Sequence, residues 1–168
     1  MAGDHQIGIT VTTLSKELDE GSIIAQKKIP ITDHDVSDPL RTKLFEIGAD
    51  LLVQTLADYV SGKIKGTKQH ESDTPFSQRL TREDGFEAWE NIQNAFEDPA
   101  ESSRIERKFR ALAPWPGVWT LYTISGEQKR LKLMAVHLNS GKLMIDSVQL
   151  EGKNPVSFEQ FQNAYQSQ

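Results

Sequence analysis

The sequence predicts an α/β segment of two strands and a helix, followed by a β-rich domain with flanking helices. Three observations carry that expectation. Residues 7–31 hold two β-branched runs around a glycine-containing turn, and residues 37–62 repeat apolar side chains at helical spacing. Residues 118–152 hold three further strand-like runs separated by short glycine turns. The predicted boundaries are a first part over 1–65, a linker over 66–79 and a second part over 80–168.

"IGITVTTL", from Ile7, is β-branched and partly alternating, as a half-buried strand should be. The turn "SKELDEG" leads into "SIIAQKKIPI", a second strand in which Pro30 marks an edge or an end because proline donates no ladder hydrogen bond. In "SDPLRTKLFEIGADLLVQTLADYVSG", Leu40, Leu44, Ile47, Leu51 and Leu52, Thr55 or Leu56, and Tyr59 recur at steps of three and four. Ser37 is the expected N-cap, with Pro39 just inside the start and Gly62 as the stop. The stripe predicts a core-facing helix. "GKIKGTKQHESDTPFSQ" is polar, holds glycine and proline, and lacks periodicity, which predicts a linker with a solvated His70.

Beyond it, two helical patterns flank a break at Asp98 and Pro99, the second repeating Ile105, Phe109 and Leu112 with Ser102 or Ser103 as its cap. Pro114 and Pro116 end it. "VWTLYTI", "KRLKLMAVHL" and "KLMIDSVQLEG" read as strands, and "SFEQFQNAYQ" closes as a short amphipathic helix.

With 168 residues the chain can bury a substantial core, and 37% hydrophobic with 26% charged residues is the balance of a soluble globular protein. No run approaches the length of a membrane span, and no signal-peptide pattern opens the sequence. The absence of cysteine excludes disulfides, zinc–thiolate sites and thiol nucleophiles, and suits the cytoplasm. His5, His34, His70 and His137 show no paired metal spacing, and no phosphate loop or serine-hydrolase motif occurs. His137 falls in a strand and is expected to be structural.

One region breaks the acidic balance. From Arg104 to Lys142 the charge is +6, inside a chain of net charge −5. Trp115, Trp119 and Tyr122 are interleaved with these cations, the combination that phosphate contact and base stacking require. An ordinary solvated helix and sheet surface would show the same charges.

Five segments resemble one family in order. "GITVTTLSKELDEGSIIAQKKIPI" resembles the strand–loop–strand of the folate-dependent formyltransferases, where G-V/I-T leads to D-x-G, and "LRTKLFEIGADLLVQTL" resembles the helix after it. "LTREDGFEAW" resembles the entry to the C-terminal domain of the methionyl-tRNA formyltransferase family. "IERKFRALAPWPGVWT" is similar to that family's R-x-x-R-A-x-x-P-W-P-G element, and "VQLEGKNPVSFEQFQNAY" to its closing Q-x-E-G-K-x-P segment.

The resemblance implies the end of a Rossmann-like catalytic domain over 1–65 and a reduced OB-like, tRNA-binding domain over 80–168. That barrel is expected to have lost roughly two of the family's about five strands. It implies transfer of a formyl group from 10-formyltetrahydrofolate to the amino group of methionyl-initiator tRNA in the intact enzyme, without a metal. Asp19 matches the aspartate of the catalytic triad. No Asn-x-His occurs in the chain, and the family's folate-binding half is expected upstream of the matched region. The chain alone is therefore expected to be inactive and not to bind the folate. Arg104, Arg107, Lys108, Arg110, Lys129, Arg130 and Lys132 are expected to contact the phosphates of initiator tRNA, as the C-terminal domain does in that family. The alternatives are a non-catalytic tRNA-binding module and a relative of the nucleotide-sugar N-formyltransferases. An exposed sheet edge is expected to pair with a separate N-terminal half or a second copy.

Overall fold

The computed structural model describes residues 1–16, 19–69 and 77–165, so His70 and the middle of the expected linker lie outside the described residues. The chain divides into two compact units, Ala2–Gln78 and Arg79–Gln168.

In the first unit, β1 (Gln6–Thr12) and β2 (Ile23–Pro30) form an antiparallel two-stranded sheet. Their register runs from Gln6 opposite Pro30 to Thr12 opposite Ile23, with an irregularity after Val11. Pro30 closes β2, where its missing N–H breaks no ladder. Helix α1 (Ser37–Val60) packs on both strands. Gly48 permits the approach, since a Cβ there would lie 2.9 Å from Cγ1 of Ile9.

Two expectations for α1 need correction. Ser37 is not the cap: Val36 holds that position in extended conformation without a side-chain bond, and the Leu40 amide donates to its carbonyl at 3.0 Å. The turn before it is instead closed by Asp35, whose carboxylate accepts from the Thr32 amide at 2.7 Å and hydroxyl at 2.9 Å. The stripe of Leu40, Leu44, Ile47, Leu51, Thr55 and Tyr59 does face the sheet, but it is only half-buried and no residue of α1 is fully buried. Two strands are too narrow to cover a helix. Leu52 and Leu56, expected in the core-facing stripe, instead join Phe45, Val53 and Val60 in a second, exposed apolar stripe.

In the second unit a 3-10 turn (Glu83–Gly85) leads to α2 (Trp89–Asn94) and α3 (Pro99–Leu112). Strands β3 (Trp119–Ile124), β4 (Glu127–Asn139), β5 (Lys142–Leu150) and β6 (Val156–Ser157) follow, then α4 (Phe158–Tyr165). The sheet order is β3-β4-β5-β6, all antiparallel. The β3–β4 and β4–β5 turns place Ser125–Gly126 and Ser140–Gly141 at positive φ, as tight hairpin turns of matching twist require.

Apolar residues of β4 and β5 point to one face: Leu131, Leu133, Leu143, Ile145 and Val148 meet Ile92, Ile105 and Phe161 in the core. An aromatic group of Trp89, Phe96, Tyr122 and Phe158 packs against it.

The cap of α3 is also corrected. Asp98 caps it, accepting from the Ala100 amide at 2.8 Å, with Pro99 as the first helical residue. Ser102 is instead buried inside the helix, its hydroxyl donating to the Asp98 carbonyl at 2.9 Å and accepting from the Leu143 amide at 3.0 Å. The bond from Leu143 ties α3 to β5. The expected break at Asp98 and Pro99 is thus the helix start itself.

Candidate functional site

Within the first unit, Asp19 sits at φ 59°, a left-handed conformation that aspartate tolerates better than most residues. Its backbone is held from outside the turn. Nε2 of Gln69 donates at 2.7 Å to the carbonyls of both Asp19 and Gly21. Across the loop the Thr13 amide donates to the Ser22 carbonyl at 2.9 Å, and the Ser22 amide to Oγ1 of Thr13 at 2.9 Å. Gly21 is buried, and a Cβ there would lie 1.7 Å from the Thr13 carbonyl oxygen. Only glycine fits. Thr67 adds a bridge to Ile23, so composition-defined linker residues 67 and 69 hold this turn in place. Asp19 is exposed, and among the described residues its carboxylate has no hydrogen-bond or ion-pair partner. The turn presents an acid; among the described residues it brings no second reacting group to it.

The cations of the second unit fall into two groups. Those on α3 are largely neutralised in place. Glu87 is 5% exposed and accepts from Arg104 at 2.7 and 3.0 Å, from Lys108 at 3.0 Å and from Asn91 at 2.7 Å. Burial alone would push its carboxyl up, but the hydrogen bonds from Arg104, Asn91 and Lys108 outweigh it and hold the group down at about 2. The same pairing raises Arg104, which also meets Glu101 at 2.9 Å. Arg110 pairs with Glu106 at 2.6 Å. Arg107 has no ion-pair partner among the described residues.

The cations on β4 differ. Lys129 meets Glu127 at 3.4 Å, but Arg130 and Lys132 form no ion pair among the described residues. Register places Trp119, Lys132 and Gln149 opposite one another on adjacent strands, a row across the sheet. With Arg82, Trp115, Pro116, Arg130 and Glu151 this row lines a cleft of about 310 Å³. The indole N–H of Trp119 donates to the Arg82 carbonyl at 2.9 Å, fixing that segment over the sheet. Gly85 lies so close that a Cβ would sit 2.1 Å from the Gly117 carbonyl oxygen. Gly117, at φ 74°, leaves room for the Lys132 stem, which a Cβ would approach to 2.5 Å.

The cleft therefore joins Arg130 and Lys132 of β4 with three segments separate in sequence: 82–85, 115–119 and 149–152. These three segments are the stretches "TREDG", "WPGVW" and "QLEG" of the motifs quoted above. Sequence reasoning weighted the α3 cations equally with those on β4 and missed Arg82. The available signal was that the three motif segments, read only as family marks, each bring a charged or aromatic side chain.

His137 lies in β4, with Nδ1 2.9 Å from a carboxylate oxygen of Asp146 on β5. No group of three or more His, Asp or Glu among the described residues could hold a metal. Among the described residues, no helix is long and apolar enough to cross a membrane.

The fold defines a class. A methionyl-tRNA formyltransferase from Clostridium thermocellum shares it with a TM-score of 0.54 and 15% identity, over 88% of this chain and 57% of that one. An N-formyltransferase from Helicobacter canadensis, solved with folinic acid and dTDP-3-aminofucose, shares it at 0.55 and 14%, over 88% of this chain and 52% of that one. Sequence narrows the class. Residues 1–56 match the formyl transferase family model and residues 95–143 the formyl transferase C-terminal domain model. Methionyl-tRNA formyltransferase of Bartonella quintana is 34% identical over 141 residues, 84% of this chain and 43% of the relative. The chain belongs to the formyltransferase family. It spans less than half the length of that relative.

Proposed function

We propose that this chain serves formyl transfer from 10-formyltetrahydrofolate to the amino group of methionyl-initiator tRNA, its second unit binding the tRNA and its first contributing Asp19. The observation that carries the reading is the group of Arg82, Arg130 and Lys132, without an ion pair among the described residues, gathered with two tryptophans in one cleft. The four-stranded sheet and α3 serve as a shortened counterpart of the family's OB-like domain.

In the reaction the amine attacks the formyl carbon, and the tetrahedral oxyanion needs hydrogen-bond donors. Asp19 would orient and charge-stabilise a histidine that shuttles the proton. The chain has no Asn-x-His to supply the donor and the shuttle, so a lone carboxylate leaves both tasks undone. By itself it binds tRNA and does not formylate it. Filter binding of methionyl-tRNA across a salt series tests this. Binding should weaken steeply with salt, and Arg130→Ala with Lys132→Ala should flatten the log–log slope by about 1.5. A binding constant indifferent to salt refutes the reading, and formylation by the purified chain refutes its inactivity.

The partner reading follows from the first unit. Both strands of a two-stranded sheet are edges, and α1 exposes Phe45, Leu52, Val53, Leu56 and Val60 along one side. A second copy covers these surfaces in solution. Sedimentation velocity should show a dimer that Val53→Lys with Leu56→Lys converts to monomer; a monomeric parent chain at high concentration would contradict it.

A further inference from the structure

We propose that the cleft of the second unit is a nucleotide subsite, in which a base stacks on Trp115 and its phosphate is held by Arg82, Arg130 and Lys132. It deepens the tRNA reading and rests on it only for the source of the nucleotide. The chemistry, a planar base joined to a phosphate, is shared by an RNA strand and a nucleotide sugar.

The chain's three tryptophans have different surroundings. Trp89 packs edge-on among Phe96 and Tyr122, and Trp119 lies on Phe86 with its N–H bonded to Arg82. Trp115 is 56% exposed and has neither an aromatic partner nor an indole hydrogen bond among the described residues. An indole left open beside three cations does nothing for the core, yet it offers the face on which a base can stack.

The cations point the same way. Wherever α3 brings Arg104, Lys108 and Arg110 near the body of the unit, a glutamate meets them. In the cleft the single carboxylate, Glu151, accepts instead from the Arg130 backbone amide at 3.3 Å, and positive charge remains in excess. An excess of like charge held in one cleft favours an anion, and a guanidinium fork beside an ammonium suits phosphate oxygens. Glu151 and Gln149 in the lining offer acceptors for the exocyclic amine of a base. A volume of about 310 Å³ falls at the small end of ligand sites, matching one nucleotide rather than a strand. The Gly85–Gly117 approach fixes the walls, so the site is built rather than improvised from mobile surface.

The test is indole ¹⁵N NMR of the full chain titrated with AMP, dTDP, a four-nucleotide adenosine RNA and inorganic phosphate, the Trp115 signal being assigned from Trp115→Phe. All three nucleotides should move the Trp115 signal and leave Trp89 in place, while inorganic phosphate should not move Trp115. Trp115→Ala and Lys132→Ala should each weaken binding about tenfold. A Trp115 signal that no nucleotide moves, or affinity unchanged by both substitutions, overturns the proposal. Salt-dependent tRNA binding that survives both substitutions would sink the subsite and leave the tRNA reading standing. Mononucleotides that move Trp115 while tRNA fails to bind would keep the subsite and sink the tRNA reading. Preference for dTDP over the RNA would then identify a nucleotide sugar as the source.

Discussion

Replacing Glu87 by glutamine probes the link between the folded core and the basic helix. The side chain is 5% exposed and gathers bonds from Arg104, Lys108 and Asn91, and its carboxyl titrates at about 2 instead of 4.5. A carboxyl lowered by that much contributes about 3 kcal/mol at neutral pH, an upper value because Arg104 is 42% exposed and partly screened by water. The folded value is depressed, so the contribution is complete above the unfolded value of 4.5 and is lost as pH falls towards about 2. Glutamine keeps the shape and removes the charge, leaving Arg104 and Lys108 facing a neutral group. All three tryptophans lie in this unit, so their fluorescence in urea reports its unfolding alone. At pH 7 the substitution should lower the midpoint by about 2–3 M, taking a slope near 1 kcal/mol/M for a domain this small. By about pH 3 the gap between parent and variant should have fallen to less than half. A gap that stays constant from pH 7 to pH 3 would show that charge pairing is not what Glu87 supplies. The same variant frees Arg104 and Lys108, so tighter tRNA binding by a folded Glu87→Gln chain is a further expected result.

Gly21→Ala should disrupt the Asp19 turn, because the added methyl would lie 1.7 Å from the Thr13 carbonyl oxygen, and a cost on the order of 3 kcal/mol is expected. Hydrogen exchange at the Thr13 and Ile23 amides should speed up, and unchanged protection would refute the packing. Thr120 is fully buried and, among the described residues, its hydroxyl has no partner. Thr120→Val should therefore raise the stability of the second unit by about 1 kcal/mol, read as a higher urea midpoint; a loss would mean the hydroxyl is satisfied.

Much of the fold was legible because its signals are local. The alternation in "IGITVTTL", the stripe from Leu40 to Tyr59 and the glycine turns at Gly126 and Gly141 each encode one element without reference to the rest. The caps were less legible. Ser37, Ser102 and Ser103 are all good cap residues, and choosing among them and Asp98 depends on where the helix must begin to let Ser102 reach Leu143 on β5. The burial of α1 was overestimated for a related reason: periodicity says which face turns inward, not how wide the opposing sheet is. Glu87 was invisible. Nothing near it in sequence marks a buried acid, since its partners Arg104 and Lys108 lie seventeen and twenty-one residues away.

The charge excess from Arg104 to Lys142 was a property of the sequence, but its meaning is a property of the fold. A count treats all eight of its cations as equivalent contacts for phosphate. The structure separates them by the company they keep: Arg104, Lys108 and Arg110 meet glutamates, whereas Arg130 and Lys132 line a cleft with Trp119, Trp115 and Arg82. A cation already paired at 2.6–3.0 Å must lose that partner before it serves a ligand, and it loses much of the gain in doing so. An unpaired one in a cleft gives up only water. Binding should therefore depend more on Arg130 and Lys132 than on the more numerous helix cations, whose removal should register first as lost stability. Parallel urea and filter-binding measurements on Lys108→Ala and Lys132→Ala would separate the two roles, and equal effects of both substitutions on both readouts would refute that division.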